Sequence, residues 1–479
     1  MLPLVGAAGK SFVRADGTRR FPHRRSGRQA WPMIAEEALA QFAAAQVVVP
    51  VEVQEMCLVG LSDSLGVGVG GLAAESAVIT RSLLAEADSG GTHVWASSQR
   101  LPPRDAAWLL GVSSHALDFD DYMHPMHGHA SSVVLPAAWA AGEPRGASGE
   151  ELLQAYAVGY QVDWLASQAF GTAHYERGWH ATSTVGVIGA TAAAGRMLGL
   201  DAGQMRTAMA IAASSASGLR VNFGTHVKAM HAGNAARSAV VACELAMAGA
   251  TAAADWMTGP HGMLAVMGGR VVPAEAGAAI SGVLDTWGIV GPTGLMLKPY
   301  PCCGSSHAAV DSALAARADL GGAPIDRVAV HVDPLVTGIL RHERPATPDE
   351  ARYSLHYPIA VALLDGELTA RQFSRERMSA PDVADMLRRV TVIADRSNAA
   401  HEAFAAEVEV VSGGRTVAVE VPVALGHPRR PLSTDQRRAK FVGAAAGVLG
   451  EPRAVALWDS VPRLPSLDRI SDWTELVAP

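Results

Sequence analysis

The stretch SGEELLQAYAVGYQVDWLASQAF, residues 148–170, decides the fold class. Ser148, followed three residues later by Glu151, is a capping box: each side chain satisfies a backbone N–H that the first helical turn leaves free. Behind it Leu152, Tyr156 and Tyr160 recur at helical spacing, so one long helix runs to Phe170. The same grammar extends outward. Asp201 with Gln204 opens another helix just after Gly199 closes its predecessor. Alanine and glycine runs such as 189–195 suit helices that pack at short axial distance. From about Ile34 to Gly282 the chain reads as helices with short connections.

The texture changes after Pro292. Arg327 to Val332 and Arg389 to Ala394 alternate like strands, and Glu407–Val411 with Thr416–Val421 flank Gly413-Gly414 as a hairpin. Helical stretches lie between them, Ser306–Asp319 and Ile359–Leu364. From Pro431 the pattern returns to helix. The fold expected is mainly α: a large all-helical domain with an inserted smaller α+β lid domain. Its parts are a flexible N-terminal extension (1–30), the helical domain (31–290), the lid (291–425) and a C-terminal return to the helical domain (426–479).

Composition narrows the function. A chain of 479 residues, 49% hydrophobic and 18% charged, folds into compact domains. Its net charge of −7 argues against a nucleic-acid partner. The longest stretch free of Asp, Glu, Lys and Arg, Tyr122–Gly142, carries three histidines and two prolines, so no membrane span is expected. Residues 1–30 are rich in arginine and lack the apolar run of a secretory signal. Four cysteines, two of them the adjacent Cys302 and Cys303, make no disulfide framework, which points to the reducing cytoplasm. Of 39 basic residues only four are lysine: Lys10, Lys228, Lys298 and Lys440. A lysine kept against that background suggests a need for its compact point charge.

The chemistry concentrates in His115-Ala-Leu-Asp118-Phe-Asp120-Asp121-Tyr122-Met-His124-Pro-Met-His127-Gly-His129. Carboxylates interleaved with histidines supply acid/base pairs near neutral pH. The spacing fits no zinc motif, so no metal is expected; a purely structural polar loop is the competing reading. Gly178-Trp179-His180-Ala181-Thr182-Ser183 places a histidine and hydroxyls at a helix N-terminus, where backbone N–H groups favour an anion. Lys228 precedes a small-residue helix, and Lys298-Pro-Tyr-Pro-Cys302-Cys303 falls where the domains meet. Gly66, Gly68 and Gly71 mimic a dinucleotide fingerprint, but Glu55–Leu65 before them reads as helix rather than strand.

These blocks, with Asp63-Ser64-Leu65-Gly66, Thr225–Ala236, Ala351-Arg352-Tyr353-Ser354-Leu355-His356-Tyr357 and Gly426-His427-Pro428, occur in an order that resembles the MmgE/PrpD family. That family includes 2-methylcitrate dehydratase, cis-aconitate decarboxylase and iminodisuccinate epimerase. The resemblance implies a homodimer whose site lies between helical domain and lid, acting on small polycarboxylates without metal or organic cofactor. It implies catalytic roles for Asp118, His129, His180, Lys228, Lys298 and Tyr357, and substrate-binding places for Tyr122, His127, Thr182 and Cys303. Three features depart from the decarboxylase-like pattern: Tyr122 stands where threonine is typical, the His124–His129 segment is one residue longer so that His127 competes with His129, and Cys303 occupies a place where some members carry histidine.

The expected function is a cofactor-independent lyase that abstracts a proton next to a carboxylate and dehydrates a 2-methylcitrate-like hydroxy acid. Decarboxylation of a cis-aconitate type and epimerisation of an iminodisuccinate type use the same groups. A catalytically silent small-molecule binding protein is the reading from another class. In the enzyme readings Lys228, Lys298 and His180 hold carboxylates and steady the carbanion. His129 moves the proton with Asp118 orienting it or raising its basicity, and Tyr357 helps protonate a leaving hydroxyl or the intermediate.

Overall fold

The computed structural model describes residues 34–85, 91–268, 273–283, 286–396 and 404–477. The extension expected at 1–30 lies outside the described residues. Helices dominate, as the sequence pattern requires, and the sheets are small. The capping boxes at Ser148 and Asp201 both form, opening helices Gly149–Phe170 and Ala202–Ser214. Among the described residues no single helix is long and apolar enough to cross a membrane.

Two large hydrophobic cores organise the chain. The first joins the helices before residue 297 to the C-terminal helices, with Phe441, Leu457 and Trp473 packed among them. The second runs from Tyr300 to Ala424, with Phe223 reaching into it from the helical part. At its centre is a four-stranded sheet in the order Val390–Ile393, Arg327–His331, Ala406–Ser412, Arg415–Val421. The first pair is parallel and the rest antiparallel. Strand Ala406–Ser412 buries every second residue, the period-two signal that marked it in the sequence. Gly413 and Gly414 close its hairpin with φ of 55° and 82°, a turn that only glycine-like residues enter without strain.

One crossing sets the geometry of the site. Helices Pro103–Ala116 and His226–Met247 meet where Gly111 faces Gly233. A Cβ at position 111 would lie 2.8 Å from the Gly233 Cα, and one at 233 would lie 2.4 Å from the Trp108 carbonyl oxygen. Backbone touching backbone brings the C-terminal end of the first helix, which carries His115 and has Asp118 just beyond it, against the N-terminal end of the second, which carries Lys228. The Gly66-Gly68-Gly71 signature has a similar origin. Helix Val51–Gly71 runs through it: a Cβ at Gly71 would strike the Ser113 carbonyl oxygen, and Cβ atoms at Gly66 and Gly68 would strike the rings of Phe441 and Trp95.

Because the atoms facing Gly111 are backbone, the crossing cannot relax around a side chain. Gly111→Leu should cost about 2–3 kcal/mol of stability, read as a lower urea midpoint, with activity reduced among the molecules that still fold.

Candidate active site

Asp118 follows helix Pro103–Ala116 in a left-handed conformation, φ 49°, which Asp tolerates better than most residues. The turn brings its carboxylate into a pocket where three donors converge on one oxygen. Lys228 Nζ lies 2.7 Å from Oδ1, Lys298 Nζ 3.0 Å, and the Tyr353 hydroxyl donates to the same atom at 3.1 Å. Lys298 also donates to the Asp118 backbone carbonyl at 2.8 Å, which fixes the unusual turn. All three charged side chains are buried, at 3%, 4% and 1% exposure for Asp118, Lys228 and Lys298.

Each lysine arrives by a local device. Lys228 sits in the first turn of helix His226–Met247, where the helix dipole disfavours a cation. Only the carboxylate opposite explains it there. Lys298 is placed by a two-residue antiparallel ribbon that pairs Tyr122 with Met296 and Met123 with Leu295. Tyr353 ends the short helix Pro348–Arg352, which Thr347 caps by accepting from the Glu350 N–H.

Imidazoles form the other wall. His129 Nδ1 lies 2.9 Å from the Asp121 carbonyl oxygen and 3.2 Å from Asp120 Oδ2, while its Nε2 is 4.0 Å from Asp118 Oδ1. Its backbone N–H donates to Thr182 Oγ1 at 3.1 Å. His115 Nδ1 contacts the same Asp120 oxygen at 2.7 Å. The His115 ring stacks on His180, which pairs Nδ1 to Nδ1 with His231 at 3.0 Å. A narrow cavity of about 70 Å³ opens from here, lined by Tyr122, His127, His129, Tyr175, Lys298 and Cys303 among others.

The electrostatics follow from burial and these partners. Burial raises the Asp118 carboxyl, but Lys228 and then Lys298 outweigh it and hold Asp118 well below the usual carboxylate range. Burial lowers Lys228. Asp118 overcomes the same penalty at Lys298 and raises it. Burial lowers His129 and, with Lys228 and His115, takes His180 far down. His115 is pushed down to about 3, again chiefly by burial. The resting site is therefore one of ionised lysines and carboxylates with neutral imidazoles. Ligand atoms of His115, Asp118 and His129 do lie within 4.8 Å of one another, a spacing a metal could use. They do not suit one here, since a cation on Asp118 would face two ammonium groups at hydrogen-bond distance.

Comparison with known proteins decides the family. The MmgE/PrpD N-terminal domain matches residues 37–275 and the MmgE/PrpD C-terminal domain residues 300–461. The chain belongs to the MmgE/PrpD family. It is 31% identical over 403 residues to the cis-aconitate decarboxylase of Homo sapiens, covering 80% of this chain and 81% of that protein. It is 30% identical over 434 residues to that of Mus musculus, covering 87% of each. With the cis-aconitate decarboxylase of Aspergillus terreus it shares 28% identity over 424 residues, covering 81% and 83%.

Within this family member, Asp118, His129, His180, Lys228 and Lys298 lie together around one pocket. Thr182 is present too, but its hydroxyl holds the His129 backbone. Tyr122, His127 and Cys303 line the cavity. His127 stacks on Tyr175, and it is the His129 ring that lies against Asp120 and beside Asp118. The Cys303 thiol is raised by burial and by Asp118.

Tyr357 requires a correction. It lies in helix His356–Asp365, donates to the Gln372 carbonyl and packs on Phe373, inside the second core. The tyrosine at the site is Tyr353, four residues earlier in the same block. The Thr347-Pro348-x-Glu350 cap, which opens the short helix that ends at Tyr353 beside Asp118, was the available signal. Sequence reasoning placed Asp120 and His231 within their blocks but gave neither a role of its own; both touch the site through other side chains.

A depressed carboxyl stabilises the fold above its unfolded pKa, near 4, and loses that contribution as pH falls through its folded value. Wild-type denaturant midpoints should therefore fall progressively as pH drops below about 4. Asp118→Asn should flatten that drop and cost about 3–5 kcal/mol at pH 7, where two buried ammonium groups lose their counter-charge.

Proposed function

We propose that this MmgE/PrpD-type lyase is a decarboxylase of a cis-aconitate-like unsaturated tricarboxylate. The observation that carries the reading is its likeness, over four-fifths or more of each chain, to proteins named as cis-aconitate decarboxylases. The site geometry supports it. Dehydration needs a group to protonate a departing hydroxyl, and Tyr357, expected to protonate such a hydroxyl or the intermediate, donates instead to the Gln372 carbonyl in the second core. Tyr353 gives its one proton to Asp118. Decarboxylation needs cations and a single proton donor, and both are present. It therefore replaces dehydration as the function we favour.

The chemistry balances without further reactants. As the C–C bond to the departing carboxylate breaks, its electron pair forms a new double bond and pushes the old one toward a second carboxylate. Negative charge develops there, and the donors of Lys228, Lys298 and His180 stabilise it by about 3–4 kcal/mol each, by analogy with oxyanion-hole donors. The imidazolium of His129 then delivers its Nε2 proton to carbon. A trianion plus one proton becomes carbon dioxide and an unsaturated dicarboxylate. The Nε2 of the neutral ring takes up the next proton once the substrate's negative charge favours it.

The cavity of about 70 Å³ is far below the roughly 300–1,000 Å³ of pockets that hold small ligands. On this reading the second core moves aside to admit substrate and closes again over it. Closure excludes water and strengthens each charge contact.

Incubation with cis-aconitate, 2-methylcitrate and iminodisuccinate in D₂O, followed by NMR, discriminates the readings. We expect loss of carbon dioxide from cis-aconitate with one deuterium placed on carbon. An alkene formed from 2-methylcitrate with no gas release would overturn the proposal. Lys228→Met should lower kcat/KM by on the order of 10²–10³-fold, measured in the same assay.

A further inference from the structure

Asp120 is the buried charge that the mechanism above leaves unused. It is wholly buried, yet its partners are two imidazoles: Oδ2 is 2.7 Å from His115 Nδ1 and 3.2 Å from His129 Nδ1. Its other oxygen, Oδ1, has no hydrogen-bond partner. An ionised carboxylate in such a place is costly to bury unless positive charge arrives to meet it. Asp118 is badly placed to orient His129. Its Oδ1 already takes two ammonium groups and a tyrosine hydroxyl, and it faces the Nε2 of His129 from 4.0 Å.

We propose that Asp120, and not Asp118, is the positioning residue for His129. Accepting from Nδ1–H, Asp120 Oδ2 and the Asp121 carbonyl select one tautomer and leave Nε2 as the atom that meets the substrate. When Nε2 takes up a proton, the imidazolium forms against a charge already in place, so little has to reorganise. His115 shares the same oxygen. With its Nδ1–H turned to Asp120 and Lys228 Nζ at 3.4 Å, it stays neutral and braces the carboxylate edge-on to the His129 ring. After proton transfer to carbon, His129 returns to the neutral Nδ1–H form, and Asp120 remains a carboxylate throughout.

This inference rests on the decarboxylase reading only for the direction of proton transfer. The groups that face His129 are Asp118, Asp120 and Tyr122 from the chain leading up to it, His115 from helix Pro103–Ala116 and His180 beyond it. Lys228 comes from helix His226–Met247, and Lys298 and Cys303 from the segment after Met296. Both lysines oppose protonation of the ring, and Asp120 is the charge in contact that favours it.

The test combines kinetics with spectroscopy. In Asp120→Asn, kcat should fall on the order of 10²–10³-fold while KM changes less than about 3-fold. The basic limb of the kcat–pH profile should move to lower pH by roughly one unit or more, as expected when a contacting negative charge is lost. A variant with wild-type kcat and an unmoved limb would overturn the proposal. Nitrogen-15 NMR of histidine-labelled wild-type enzyme needs neither the variant nor a substrate. It should show His129 as the Nδ1–H tautomer, and an Nε2–H tautomer would equally overturn the assignment. If the wild type leaves cis-aconitate untouched, the decarboxylase reading fails, and the spectrum still judges Asp120.

Discussion

The structure turns on a buried carboxylate oxygen that holds two ammonium groups at once. Lys228 and Lys298 come from positions 70 residues apart in the chain and from different elements, and Asp118 comes from a third. Burying any one of the three alone would be expensive, because a desolvated charge without a partner costs several kcal/mol. Buried together, each makes the others tolerable. The surrounding features serve this contact: the glycine crossing that lets two helix ends meet, the left-handed turn at Asp118, and the short ribbon at Tyr122–Met123.

Beside this triad stands a second arrangement of a different kind. Asp120 has no ammonium in contact and leans on two imidazoles that burial keeps neutral. The first set of charges is permanent and suits anchoring an anion. The second is one proton short of balance and suits chemistry. Two aspartates separated by a single phenylalanine thus do unlike work, because a left-handed residue aims one of them at the lysines while its neighbour faces the histidines.

Much of this was legible in the sequence. Capping boxes at Ser148 and Asp201, the Gly413-Gly414 hairpin and the alternation in 406–412 are local signals, and each formed where its residues required. The scarcity of lysine marked Lys228 and Lys298 before any contact was known. What could not be read were the choices settled by tertiary placement. Tyr353 and Tyr357 stand four residues apart in one block. Only the break between helix Pro348–Arg352 and helix His356–Asp365 sends the first to Asp118 and the second into the core. His127 and His129 differ likewise through a chain reversal, since His127 carries φ 52° and Met123 pairs with Gly128. Asp120 was hidden for the same reason, as its partners are fixed by folding and not by spacing.

The ribbon that seats Lys298 also determines what a swing of the sheet-bearing half would leave behind. Leu297, the residue before Lys298, packs in the helical core, whereas Tyr353 packs with the other half. The seam therefore passes between the ammonium groups and the phenol. Parting the halves would forfeit a neutral hydroxyl contact and keep the ion triad whole. The gaping enzyme would still present its paired cations to an approaching polyanion, and the phenol would return only when the jaws shut.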